Sequence, residues 1–432
     1  MAATRNTPPS VNLNLNVRGL LQSATLRINE QSNQLLRDGM RVFKLGLGQS
    51  PFPVPTAVVN QLRVNAHQKD YLPVMGLREL RGAVSNYYVR TQNVRFTPEN
   101  VMIGPGSKEL MFILQLVYYG DLVIPTPSWV SYAPQAHIVG RHIRWLETSL
   151  ENNWRITPDL VERLCSKDPD RPRLLILNYP SNPTGTTYRS DELRALAQVA
   201  RRYHLVLLSD EIYGELHHNG RHVSVARYYP EGTIISSGLS KWCGAGGWRL
   251  GTFAFPESLS WLKESMAVVA SETYTSTSTP IQHAAVRAFD GDLELEDYLF
   301  HARRILRRLG KILAARLREA GISVADAQGG FYLFPDFTSH REALAGRGAT
   351  TSEELCQLLL QETGVATLPG SAFGRDPEEL TLRIAYVDFD GTRALIASRE
   401  TPTQKRLDDG FLDAYCENCL IAVDRIGAWL HR

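Results

Sequence analysis

The chain has 432 residues, with 47 basic and 45 acidic side chains and a formal net charge of +2. That length can bury large cores and divide into two or more domains. The near-balanced charge, with no long basic run, excludes the electrostatic footprint of a nucleic-acid binder. No segment has the length and apolarity of a membrane span, and the opening residues lack an apolar stretch of signal-peptide length, so the sequence reads as cytosolic. The five cysteines form no disulfide-scaffold pattern, and the single CxxC, Cys416 to Cys419, reads as a one-turn helical spacing. His217 and His218 read as surface residues and no metal-ligand cluster stands out.

In chain order, residues 1–60 form an N-terminal arm and part of a small domain, with a Gly- and Pro-rich loop, LGLGQSPFPVP, at 45–55. Residues 61–300 form a large domain. Within it, GPGSKELMFILQLVYY is a glycine turn feeding a helix whose first residues are Ser107 and Lys108. Apolar runs at 122–124, 174–177, 205–208, 233–236 and 252–255 are predicted as buried strands. Between them, DELRALAQVARRY at 191–203 has helical spacing, with Ser190 as its N-cap. Strands alternating with helices predict an α/β domain with a mostly parallel sheet covered on both faces. Residues 301–432 form a smaller α+β domain: a long charged helix, HARRILRRLGKILAARLREAG, then an apolar strand region, QGGFYLFPDF, and a terminal helix from about Gly410.

Open α/β sheets bind ligands beyond the carboxyl ends of their strands. Three predicted strands end in chemically loaded segments: LLILNYPSNPTG with Asn182, LVLLSDEIYGEL with Asp210 and Tyr213, and TIISSGLSK with Lys241. Neighbouring strands lie about 5 Å apart, so these side chains can surround one small planar ligand. A partly desolvated lysine has a depressed pKa and attacks aldehydes to give a Schiff base. An ionised Asp210 can keep a ring nitrogen protonated, and Asn182 and Tyr213 can contact a ring oxygen. The planar fork of Arg249 suits a phosphate, as does the helix N-terminus at Ser107. Lys108, placed against the helix dipole, is a second anion contact or else a solvated surface lysine. Phe331 and Tyr332 read as core strand residues rather than substrate contacts.

GLSKWCGAGGWRLG at 238–251 resembles the Schiff-base signature of class I/II pyridoxal-phosphate aminotransferases. YPSNPTG, SDEIYGEL, KDYLPVMGLRELR, TPSWVSY, PGSAFG and LRIAY are similar to further motifs of that family, in order, from about residue 40 to 390. The resemblance implies fold type I: a large cofactor-binding domain with a mostly parallel seven-stranded sheet, and a small α+β domain built from the N-terminal arm and the C-terminal third. It implies pyridoxal 5′-phosphate on Lys241, with Asp210 at the pyridine nitrogen and Asn182 and Tyr213 at the phenolic oxygen. Trp129 would stack on the ring, while Gly106, Ser107 and Arg249 would hold the phosphate, with Lys108 beside them. Tyr71 would reach the phosphate of the partner subunit, implying a homodimer with shared sites. Arg383, helped by Asn182 and the backbone near Gly48, would clamp the substrate α-carboxylate. Gly238 departs from the family, many of whose members have a phosphate-binding serine there; Ser237 or Ser240 would then compensate.

The expected activity is amino transfer between an L-amino acid and a 2-oxo acid. Acidic substrates are favoured because Lys108 can meet a second carboxylate, and aromatic or broad specificity is the alternative. A lyase, decarboxylase or cyclopropane-forming synthase would use the same resting chemistry. A cofactor-dependent transcriptional regulator would need a DNA-binding domain for which the short N-terminal arm leaves no room.

Overall fold

The computed structural model describes residues 12–20 and 22–431. A two-residue strand, β1 (Phe43–Lys44), precedes the strands of the main sheet. These are β2 (Val101–Gly104), β3 (Asp121–Thr126), β4 (Ile143–Glu147), β5 (Arg173–Asn178), β6 (Val206–Asp210), β7 (Thr233–Gly238) and β8 (Gly251–Ala254). They form one seven-stranded sheet in the order β2-β8-β7-β6-β5-β3-β4. Every neighbouring pair is parallel except the two that β8 makes, with β2 and with β7.

The central strands are apolar on both faces because helices cover both. Leu174, Ile176, Val206, Leu208 and Ile234 pack on one side against Leu110, Met111 and Leu114 of the helix Ser107–Val117. Leu175, Leu177, Leu205 and Leu207 pack on the other against Leu193, Leu196 and Ala197 of the helix Ser190–Arg202. Each such side chain contributes about 1.5–3 kcal/mol relative to exposure, and the alternation of faces explains why LLIL and LVLL are continuous apolar runs.

The five predicted strands coincide with β3, β5, β6, β7 and β8; β2 and β4 were not anticipated. β4 is an edge strand whose Arg144, Trp145 and Glu147 are exposed, so it lacks a buried apolar run. The expected cap at Ser190 shifts by one residue. Ser190 is already helical, and the N-cap is Arg189, whose N–H donates to the Glu192 carboxylate at 2.7 Å.

The C-terminal third begins within a long helix, Leu293–Glu319, and carries β9 (Tyr332–Leu333), β10 (Val365–Ala366), β11 (Leu368–Pro369) and β12 (Leu382–Ala385). β12 lies between β11 and β9, antiparallel to both. β1 pairs in parallel with β10, Phe43 opposite Val365, so the N-terminal arm is tied to the C-terminal third. The expected terminal helix is two helices, Asp409–Tyr415 and Glu417–Leu430, interrupted at Cys416, whose backbone leaves the helical region. Cys416 and Cys419 are buried free thiols.

His218 corrects the surface reading of the histidine pair. It is buried, with Nδ1 3.1 Å from the Ala327 carbonyl and Nε2 3.0 Å from that of Gly330, and burial lowers its pKa to about 4. Its ring ties the segment after β6 to the strand region before β9. Among the described residues no helix is long and apolar enough to cross a membrane.

Candidate active site

Strand register lines up the chemistry. Gly104 pairs with Gly251, Gly251 with Gly238, Ser236 with Asp210 and Asp210 with Asn178, a row of residues along one end of the sheet. Because β8 is antiparallel, its first residue meets the last residues of β2 and β7. The segments leading to Ser107, Lys241, Tyr213 and Asn182, and the one arriving from Arg249, therefore all meet at that end.

Lys241 follows β7 in a tight loop. Its Nζ donates to the Gly48 carbonyl at 2.7 Å and lies 5.8 Å from the centre of the Tyr213 ring. Burial lowers its pKa to about 8, reinforced by Arg383, Arg249 and Lys108 and opposed by Asp210. At pH 7 about one lysine in ten is then neutral, against fewer than one in a thousand for an ordinary lysine. Asp210, at the end of β6, is buried, and burial raises its pKa to about 6. Its carboxylate accepts from the Tyr132 hydroxyl at 2.6 Å, Ile212 N at 3.4 Å and the Ser236 hydroxyl at 3.5 Å. Among the described residues no basic side chain hydrogen-bonds to it.

Arg383 projects from β12 and is only 1% exposed. Nη1 donates to Asn182 Oδ1 at 3.0 Å and Nη2 to the Gly46 carbonyl at 2.5 Å, while Nε has no partner among the described residues. No carboxylate pairs with this guanidinium among the described residues; its neighbours are the Tyr332 and Phe373 rings, at 4.8 and 5.1 Å. Asn182 is oriented by Asn178, whose Oδ1 accepts from Asn182 N at 2.7 Å and whose Nδ2 donates to the Asp210 carbonyl at 2.9 Å. The chain segment expected to help Arg383 clamp a carboxylate lies beside it: the Gly46 carbonyl accepts from Arg383 and the Gly48 carbonyl from Lys241.

At the opposite flank, Gly106 has φ +92°, and a Cβ there would lie 2.2 Å from Arg249 Nη2. The guanidinium thus overhangs the N-terminus of the helix Ser107–Val117, whose first N–H groups have no intrahelical partner. Arg249 itself donates to the Gly246 carbonyl at 3.0 Å. Lys108 Nζ lies 5.1 Å from the centre of the half-buried Trp129 ring, and desolvation together with Arg249 lowers its pKa. Trp129 in turn meets Tyr132 edge to face at 5.3 Å.

Gly238 has a steric reason. A Cβ there would sit 2.5 Å from the Leu250 carbonyl, and one on Gly251 would sit 2.1 Å from Ser107 N. The two glycines let three backbones close together beneath the helix N-terminus. Tyr71 joins none of these contacts and is 89% exposed.

Two side chains of the cluster were missed or misread. Tyr132, in the TPSWVSY motif, contacts Asp210 across the fold. Tyr332, read as a core strand residue, is buried in β9 but also reaches the site. Its hydroxyl is 2.7 Å from that of Tyr213 and occupies the place where a side chain on Gly48 would go.

The sheet order and the lysine, carboxylate and arginine gathered at its carboxyl edge define an α/β enzyme of the aminotransferase fold. Residues 41–397 match the family described as aminotransferase class I and II, and the chain belongs to it. It is 34% identical over 378 residues to an aspartate aminotransferase of Geobacillus stearothermophilus, covering 85% of this chain and 93% of that one. It is 31% identical over 381 residues to an asparagine–oxo-acid transaminase of Streptococcus mutans, covering 84% and 92%. The structure of an aspartate aminotransferase from Thermus thermophilus with maleate superposes with a TM-score of 0.82 at 27% identity, covering 97% of this chain and 100% of that one. The chain is accordingly an aminotransferase that moves an amino group between an amino acid and a 2-oxo acid.

Proposed function

We propose that the amino donor is an acidic amino acid, aspartate or glutamate, with a 2-oxo acid as acceptor, and that the chain works with pyridoxal 5′-phosphate held at Lys241. The observation that carries this reading is the complementary pair of unsatisfied charges around that lysine. Among the described residues, Arg383 is a buried cation with an unpartnered Nε, and Asp210 is a buried carboxylate with no hydrogen-bonded cation. A substrate carboxylate supplies what the first lacks and a ring N–H what the second lacks.

When bound, pyridoxal phosphate supplies an aldehyde that condenses with amines and a ring that accepts the electron pair left when the substrate Cα–H bond breaks. Lys241, with its lowered pKa, takes and returns the Cα proton near neutral pH. Asp210, ionised and braced by Tyr132, holds the ring nitrogen protonated. Tyr213, backed by Tyr332, and Asn182 contact the ring oxygen. Trp129 would stack on the ring. Arg249, Ser107 and the N–H groups after Gly106 hold the phosphate, a dianion suited to a helix N-terminus. Arg383 and Asn182 fix the α-carboxylate, and Lys108 meets the distal one.

The reading extends to a homodimer, in which the exposed Tyr71 completes the phosphate contact of the partner subunit. It also includes a cytoplasmic location, with which five buried free cysteines agree. We further divide the chain into a large domain at 61–300 and a small one from 1–60 and 301–432, a division supported by the pairing of β1 with β10.

Steady-state kinetics of Lys108→Ala with aspartate and with phenylalanine test the substrate class. We expect kcat/KM for aspartate to fall about tenfold or more, as for the loss of a charge-assisted contact, with phenylalanine little changed. Equal losses for both substrates would contradict a distal-carboxylate role.

A further inference from the structure

The long helix Leu293–Glu319 presents a basic ladder that the active site does not use. Arg303, Arg307 and Lys311 follow one another at four-residue spacing, with Arg308 alongside. Like charges at that spacing repel and destabilise a helix unless counter-charge is near. Two of the four have it: Arg303 pairs with Glu215, and Arg308 with Asp409. Arg307 and Lys311 are exposed and have no carboxylate partner among the described residues; Arg307 reaches only the side-chain oxygen of Asn219, at 3.2 Å.

Facing this ladder is a loop at 401–408 that adds Lys405 and Arg406, both exposed and likewise without a carboxylate partner among the described residues. The loop lies beyond residue 397, where the family match ends. It is fixed in place by buried Arg304, whose Nη1 donates to the carbonyls of Ser398 at 3.0 Å and Thr401 at 2.9 Å, and whose Nη2 donates to those of Pro402 at 2.8 Å and Lys405. Arg308 adds a bond to the Leu407 carbonyl at 2.8 Å. Its side chain is only 10% exposed, and its Nη1 has no hydrogen-bond partner among the described residues.

Helix and loop flank a cleft of about 590 Å³, lined also by His218, Asn219 and Gly220. That volume lies within the range of small-ligand sites. Arg308, held by the Leu407 carbonyl, and the exposed Arg307 and Arg406 beside it suit phosphate oxygens, which guanidinium groups bind bidentately. We propose that this cleft is a second binding site, for a small polyphosphate-bearing anion. A cleft of this size on a chain whose net charge is only +2 favours a small ligand over a membrane or a nucleic acid, each of which needs an extended basic face. The cleft also adjoins the active site in sequence: His218 to Gly220 follow directly on the segment that carries Asp210 and Tyr213.

Calorimetric titration of the holoenzyme, whose own phosphate seat is filled, with inorganic tripolyphosphate and with ATP tests the proposal. We expect saturable binding of about one equivalent per chain for at least one of them. The double variant Arg307→Gln/Arg406→Gln should bind about tenfold more weakly or worse, with its unfolding temperature and its turnover in the absence of polyphosphate unchanged. Lysine at both positions, which keeps the charge but loses the bidentate fork, should bind more weakly than wild type and more tightly than the Gln variant. The proposal is overturned if neither probe saturates, if the Gln variant binds as well as wild type, or if the cleft residues matter only for binding to anionic phospholipid vesicles or single-stranded DNA.

Discussion

Asp210 is held by Tyr132, Ser236 and Ile212 N, and burial sets its pKa at about 6, above the ordinary carboxylate value. The folded cofactor-free protein therefore binds this proton more tightly than the unfolded chain does. Its stability falls as pH rises from about 4 to about 6, and the cost is fully present above that, on the order of 2–3 kcal/mol. Asp210→Asn removes this dependence. We expect the cofactor-free variant to unfold at a higher temperature than wild type at pH 7.5, by a margin that shrinks as pH falls from 6 towards 4, while turnover of the loaded enzyme drops about a hundredfold or more. A variant less stable than wild type throughout that range would contradict a strained Asp210. Lys241, Asp210, Asn182 and Arg249 were legible in the sequence because each stands in a short motif at a strand end or beside one. Tyr132 and Tyr332 were not, because their partners lie 78 and 119 residues away and only folding sets those pairs. The Lys241 contact to Gly48 depends in the same way on folding, since it joins the N-terminal loop to the end of β7.

At the scale of elements, β7 and β8 meet the turn before the helix Ser107–Val117 through glycine. Gly238 looked like the loss of a phosphate-binding hydroxyl, whereas its surroundings leave no room for a side chain: the Leu250 carbonyl would be 2.5 Å from a Cβ. Gly238→Ser therefore should not add a phosphate contact. We expect it to destabilise the protein by about 1–3 kcal/mol, read from the urea midpoint, and to weaken pyridoxal phosphate binding as the backbones are pushed apart. Tighter cofactor binding at an unchanged midpoint would show that the space is available. The buried central strands were legible because helices cover both faces and leave runs such as LLIL uninterrupted. β4 escaped because an edge strand with exposed Arg144, Trp145 and Glu147 carries no such run, and the cap of the helix Ser190–Arg202 was displaced because Glu192 reaches back to Arg189 rather than Ser190 acting as cap.

For the whole molecule, the main sheet brings the polar ends of its strands to one edge, and the C-terminal third supplies Arg383 and Tyr332 across that edge on two paired strands, β12 and β9. β1, paired with β10, anchors the chain segment whose Gly46 and Gly48 carbonyls receive Arg383 and Lys241. The change from an α/β pattern to a long helix followed by short strands was visible in the sequence. The return of the N-terminal arm to the C-terminal third is implied only by the family resemblance, since a two-residue strand leaves no periodic signal. The account stands on Lys241 acting at the substrate Cα in a two-stage transfer. Its most direct test is to incubate the loaded protein with aspartate and no 2-oxo acid, and to measure oxaloacetate. We expect about one equivalent per chain and then arrest, resumption on adding 2-oxoglutarate, and no release from Lys241→Ala. Continuous product formation without an acceptor, or an unaffected Lys241→Ala protein, would contradict the account.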